Sequence, residues 1–195
     1  SEIFPFYDKQ QLHREMALFP EWFAASLLGL NLSARDEALL REAFDFLSSS
    51  ALEQPQVVVH RDFHSRNLLL SPTCEIGVID FQDALIGAFT YDLASLLKDC
   101  YIRWPTPVIR RRALDFLRRR VDEMGVGPVD DQQLLRWFDL MGLQRHIKVL
   151  GIFARLWLRD GKSQYLNDLP LVLRYTLEVT AAYSELTCFN DWLNE

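Results

Sequence analysis

The chain has 195 residues, 49% hydrophobic and 12% aromatic, enough to bury one sizeable core and unlike a disordered segment. A formal net charge of −6 argues against a nucleic-acid binder held by phosphate contacts. No run approaches the ~20 apolar residues of a membrane-spanning helix. No basic-then-apolar leader opens the chain, and Cys74, Cys100 and Cys188 show no metal-ligand spacing, so a reduced, cytoplasmic setting is expected.

In chain order, residues 8–28 carry one apolar stripe (Leu12, Met16, Phe19, Phe23, Leu27) and predict helix, kinked or broken at Pro20. Glu21 and Trp22 follow the break. Trp22 and Phe23 read as core, or Glu21 and Trp22 border a substrate pocket. Ser33 and Asp36 form a capping-box pattern for a helix to about Leu47, frayed by Ser48-Ser49-Ser50. Three short aliphatic runs, Val57-Val58-Val59, Leu68-Leu69-Leu70 and Ile76-Gly77-Val78-Ile79, predict buried strands with a turn at Ser71-Pro72-Thr73. Gly87-Ala88-Phe89 reads as a loop, and Thr90 as the N-cap of a helix ending near Arg103-Trp104-Pro105.

Thr106-Pro107 opens the next helix, which stops at Gly125. Its two arginine triplets, 110–112 and 118–120, read as a solvated face, since acids and apolar residues interleave. A long helix from Asp130 or Asp131 to about Leu158 is apolar over most of its surface and central to a bundle. Gly142 and Gly151 within it suggest close packing of another helix or of a ligand. His146 there reads as a core histidine. The last helix, capped by Asn167 or Asp168, is expected to continue past Tyr183.

The chemistry concentrates between residues 57 and 80. Asp62 and Asn67 lie five apart on one loop, and Asp80 ends the hairpin that follows, which returns it toward that loop. Two carboxylates and an amide oxygen are hard ligands suited to Mg²⁺ shared with substrate phosphates. A carboxylate left off the metal can orient a hydroxyl nucleophile. The bland alternative is a hairpin with polar ends.

His60-Arg61-Asp62 with Asn67, then Asp80-Phe81, resembles the catalytic loop and metal-binding aspartate of protein-kinase-like enzymes. Gln82 in place of glycine, and His64 two residues after Asp62, resemble the aminoglycoside-phosphotransferase branch. The resemblance implies Asp62 as the catalytic residue, Asn67 and Asp80 as metal ligands, and His60 and His64 as supporting residues. It also implies that Asp92 accepts bonds from the loop backbone. The alternative for Asp92 is an acid at a helix N-terminus. Asp83 is a further acid beside the site and a candidate substrate contact.

The segments 14–23, 60–69, 79–84, 90–105 and 141–156 are similar to the bacterial anomeric kinases of N-acetylmuramate and N-acetylglucosamine. That implies ATP and Mg²⁺ as cofactors and an amino-sugar substrate in cell-wall recycling. Arg145, Arg155 or Lys148 would meet a lactyl carboxylate, or else form structural ion pairs. No glycine-rich phosphate loop or strand lysine precedes Asp62. The fold expected for 1–195 is therefore α+β, mostly α: a single domain, the helical C-terminal lobe of a kinase-like fold with a small catalytic β-hairpin. It would lack the N-terminal ATP-clamping lobe and turn over little by itself. The competing functions are an aminoglycoside, choline or homoserine-type kinase, and a catalytically silent binding module.

Overall fold

The computed structural model describes residues 4–195. Seven α-helices and four short strands are described: α1 (Lys9–Met16), α2 (Ala34–Leu52), β1 (Gln56–Val59), β2 (Leu68–Leu70), β3 (Ile76–Val78), β4 (Leu85–Ala88), α3 (Tyr91–Leu97), α4 (Thr106–Met124), α5 (Asp131–Leu158), α6 (Leu169–Thr180) and α7 (Thr187–Asn194). The mostly helical class with a small hairpin matches the expectation. The chain divides into two compact units. One holds residues up to Asp8 and Ala51–Gly142; the other holds Lys9–Ser50 and Leu143–Glu195.

In the first unit the strands form two antiparallel pairs. β2 pairs with β3 in the register Leu68↔Val78, Leu69↔Gly77, Leu70↔Ile76. β1 pairs with β4, Val57 opposite Gly87 and Val59 opposite Leu85. Gly87 and Ala88, expected in a loop with Phe89, therefore lie in a strand; the facing Val59 and Leu85 are both buried. The β2–β3 pair corrects the expectation of buried strands: Leu70 is 71% and Ile76 68% exposed. On α4, Ile109, Ala113, Leu117 and Val121 recur every four residues and pack into the core with Leu134 and Phe138 of α5. The arginines fall on its other faces, where Arg118 pairs with Asp131 and Arg120 with Glu123. Gly125, at φ 65, ends α4 in the left-handed conformation glycine tolerates.

α3 stops at Leu97, earlier than expected, and Lys98 leaves the helix at φ −113, ψ 45. Lys98 is buried against Asp139 at 2.6 Å, which satisfies two charges withdrawn from water. Thr90 occupies the N-cap position, but its hydroxyl bonds Gln54 at 2.6 Å and does not cap the helix.

The second unit shows the break at Pro20. α1 ends at Met16, and a π-helical turn runs Phe19–Leu27 with proline at its start and Leu28 N–H bonded to Phe23 O. Ser33 and Asp36 exchange the capping-box bonds, Ser33 N–H to Asp36 Oδ2 at 2.8 Å and Asp36 N–H to Ser33 Oγ at 3.3 Å. The Ser33 hydroxyl and then its N–H, both donated to Oδ2, hold the Asp36 carboxyl below its ordinary value. Ser48-Ser49-Ser50 does not fray α2, which runs to Leu52; Ser48 and Ser50 are buried, and packing overrides weak propensity. α6 ends at Thr180 instead of passing Tyr183, and a 3₁₀ turn at Ser184–Leu186 leads into α7. Thr180 Oγ1 bonds Asn190 Oδ1 at 2.8 Å across that turn.

Gly151 and Gly142 on α5 differ in what they meet. A Cβ on Gly151 would lie 2.3 Å from the carbonyl carbon of Leu18, a backbone atom. A Cβ on Gly142 would meet the Lys98 Cδ at 3.1 Å, part of a flexible stem. Gly151→Ala is expected to cost about 2 kcal/mol or more of unfolding free energy through forced separation of the packed backbones. Gly142→Ala should stay within about 1 kcal/mol, because helix propensity offsets the crowding. Urea titration of the two variants checks the contrast; equal effects would refute it.

Candidate active site

The first unit brings together the residues at the strand ends. The loop after β1 is held from behind by Asp92, in the first turn of α3. Asp92 Oδ2 accepts the His60 N–H at 2.7 Å and Oδ1 accepts the Arg61 N–H at 3.0 Å. Arg61 sits at φ 74, a strained conformation for a side chain of its size. Its guanidinium lies over the Tyr7 ring, 5.5 Å from the centroid, and reaches the Asp83 carbonyl at 3.4 Å.

Asp62 follows, half-buried, with a carboxylate that has no hydrogen-bond or ion-pair partner among the described residues. Its carbonyl accepts the His64 N–H at 3.0 Å and the Asn67 Nδ2–H at 2.9 Å, which curls the loop. A 3₁₀ turn, Ser65–Asn67, delivers Asn67 to the start of β2. The β2–β3 ladder then returns the chain, with Ile79 N–H bonded to Asn67 O at 3.1 Å. Asp80 arrives beside Asn67, with Asn67 Nδ2 at 3.3 Å from Asp80 Oδ2, while Gln82 Nε2 donates to Asp80 Oδ1 at 2.7 Å. Asp80 is also left-handed, at φ 71.

Around this centre, both His60 ring nitrogens are buried without a hydrogen-bond partner among the described residues, and the ring meets Phe63 edge-on at 5.8 Å. His64 meets Tyr101 edge-on at 5.4 Å. Asp83 is exposed on the turn after Asp80. Sequence reasoning missed Asp99, whose Oδ2 accepts the Ser65 N–H at 2.8 Å. No local signal marks it, because a buried carboxylate and an exposed one look alike in LLKDCY.

The other candidates belong to the second unit. Glu21 is exposed and lines an open cavity of about 780 Å³ with Arg14, Arg41 and Phe44. Trp22 is half-buried. Arg145 is buried, and Arg155 is half-buried with an Nε that finds no hydrogen-bond partner among the described residues. Lys148 pairs with Glu15 at 2.8 Å, and His146 stacks on Tyr175 with centroids 4.9 Å apart.

The possible metal donors are one carboxylate, Asp80, and one amide, Asn67. Among the described residues no three His, Cys, Asp or Glu side chains gather as a metal cluster. A small all-oxygen set fits Mg²⁺, which keeps waters and shares phosphate oxygens, and does not fit an all-protein cage. The amide nitrogen of Asn67 faces Asp80, so holding a cation there calls for the amide to present its oxygen.

Residues 3–124 match the family described as "Phosphotransferase enzyme family". The chain belongs to that family. The chain is 45% identical over 98% of its length to the N-acetylmuramate/N-acetylglucosamine kinase of Pseudomonas aeruginosa. It is 44% identical over 94% of its length to that of Neisseria meningitidis. It spans 56% and 55% of those two proteins. Among solved structures, a Plasmodium vivax ethanolamine kinase superposes with a TM-score of 0.62 at 16% identity. The overlap covers 88% of this chain and 50% of the other, a likeness of fold. No helix among the described residues is long and apolar enough to cross a membrane.

Replacing Asp92 by Ala would orphan two backbone donors at the start of the 60–67 loop. Amide exchange at His60 and Arg61 is then expected to speed up by roughly ten- to a hundredfold, the value of hydrogen bonds to a charged acceptor. Exchange at those two amides that matches the unaltered chain would show that the carboxylate does not hold them.

Proposed function

We propose that this chain is the catalytic lobe of an ATP-dependent small-molecule kinase that phosphorylates the anomeric hydroxyl of N-acetylmuramate or N-acetylglucosamine. The observation that carries the substrate class is 45% identity over 98% of the chain to a kinase named for those two sugars. Site geometry supports the reaction type. Asp62 presents a half-buried carboxylate with no described partner, free to orient a hydroxyl and accept its proton. An anomeric hydroxyl is more acidic than an ordinary alcohol, so late proton transfer to a carboxylate suffices. Asn67 and Asp80 supply the oxygen donors for Mg²⁺, which when bound offsets charge on the phosphate oxygens.

Phosphoryl transfer of this kind has a loose transition state, so alignment and charge placement dominate the barrier. The chain's own contribution is then to hold Asp62 at a fixed separation from the Asn67–Asp80 pair. The bond from the Asn67 amide to the Asp62 carbonyl links two of those positions, and the β2–β3 ladder returns Asp80 beside them.

The test uses the full-length protein that carries this segment, with ADP release measured in a coupled assay. N-Acetylmuramate and N-acetylglucosamine are expected to be turned over, and a cationic aminoglycoside is not. Asp62→Asn is expected to lower kcat by roughly a thousandfold, within the range for loss of a positioned base, and to leave ATP binding largely intact. Undiminished turnover in that variant, or activity on the aminoglycoside alone, would overturn the proposal.

A further inference from the structure

We propose that Asp99 and Tyr101 are positioning residues for phosphoryl transfer: they grip the second half of the 62–67 loop, opposite the grip of Asp92 on its first half. This rests on Asp62 being the proton acceptor of the proposed kinase.

The loop's internal bonds curl it without fixing it to the body of the unit. His64 N–H bonds Asp62 O, Asn67 N–H bonds His64 O, and the Asn67 amide bonds Asp62 O. Attachment comes from outside. Asp92 takes the N–H groups of His60 and Arg61, just before Asp62. Asp99 takes that of Ser65, just before Asn67.

Asp99 is 1% exposed, so its charge is withdrawn from water and must be satisfied by donors. Two backbone groups serve: Ser65 N–H on Oδ2 at 2.8 Å and Tyr101 N–H on Oδ1 at 2.9 Å. The second bond fixes Tyr101, whose ring then meets two more loop residues. The Arg66 guanidinium carbon lies 3.4 Å from its centroid, and the His64 ring packs edge-on at 5.4 Å. Residues 64, 65 and 66 are thus each held by the segment 99–101.

Asp99 follows Asp92 by seven residues, and α3 ends at Leu97. Lys98 departs from the helix, and its own side chain is anchored to Asp139 at 2.6 Å. One short helix and its exit therefore carry both grips. Burying a carboxylate is a costly way to gain stability, since an apolar side chain of similar shape commonly serves as well. What the carboxylate offers here is direction: it fixes Ser65, and through the 3₁₀ turn the place where Asn67 meets Asp80. Displacements of about 1 Å in such a constellation cost roughly a hundredfold in rate.

The experiment introduces Asp99→Asn, Tyr101→Leu and Tyr101→Phe into the full-length enzyme. An asparagine oxygen can serve Ser65 N–H or Tyr101 N–H, not both. Asp99→Asn is expected to lower kcat roughly ten- to a hundredfold with KM for ATP and sugar within about twofold. Amide exchange should quicken at Ser65 while His60 and Arg61 stay protected. Tyr101→Leu should lower kcat likewise, and Tyr101→Phe, which keeps the ring, should restore it; this pair carries the test if Asp99→Asn does not fold. Wild-type kcat in both Asp99→Asn and Tyr101→Leu, or protection lost equally at His60, Arg61 and Ser65, would overturn the inference. Asp62→Asn run in parallel separates the two proposals. If it is inactive while Asp99→Asn turns over normally, only this inference fails; if it retains full turnover, the kinase reading beneath it fails.

Discussion

The carboxylate of Asp92 is the interaction on which the candidate site depends. It sits 32 residues after His60 in sequence, yet both of its oxygens are spent on backbone N–H groups of consecutive residues. Those groups leave the β1 ladder just where the chain enters the left-handed turn at Arg61, so no strand partner can take them. A charged acceptor compensates both donors at once and stabilises a conformation that the backbone alone disfavours. That fixed entry sets where the loop begins its curl around the Asp62 carbonyl.

The second unit is organised by a different constraint, close contact of backbones. The bare α-carbon of Gly151 lets the junction between α1 and the π-helical turn lie directly on α5. Pro20 at the start of that turn removes an N–H donor, and the wider i−5 bonding that follows accommodates the loss. α5 is buried on all sides from Leu143 to Gly151 in this unit, with Leu143, Ile147 and Leu150 fully covered. The pair Lys148–Glu15 closes its polar margin at 2.8 Å.

Much of this was legible in the residues. Helical periodicity places α1, α4 and α5 because their apolar stripes are long. The Ser33–Asp36 box is readable because it is local. The spacing of Asp62, Asn67 and Asp80 implies their convergence, since a hairpin must return. The failures are non-local. Leu85-Ile86-Gly87-Ala88 becomes a strand because β1 lies beside it, and nothing within those four residues says so. Ser48 and Ser50 stay helical because they are buried, which overrides a propensity of a few tenths of a kcal/mol. Nothing within 181–183 forbids helix as a proline would, and the bond from Thr180 to Asn190 that spans the turn joins residues on different helices. Asp99 and Lys98 look like ordinary surface charges until the fold buries them.

The left-handed backbone at Asp80 has a bearing on how mutagenesis of this centre is interpreted. Asparagine and aspartate visit φ near 71 far more readily than alanine, because a short polar side chain can compensate the crowding of Cβ. An alanine scan would therefore change two things at once here, a possible ligand and the local chain direction, and its result would mix chemistry with geometry. Asp80→Asn removes the charge while retaining the conformation, and Asp80→Gly relaxes the conformation while removing the side chain. Only the two together apportion the loss between them.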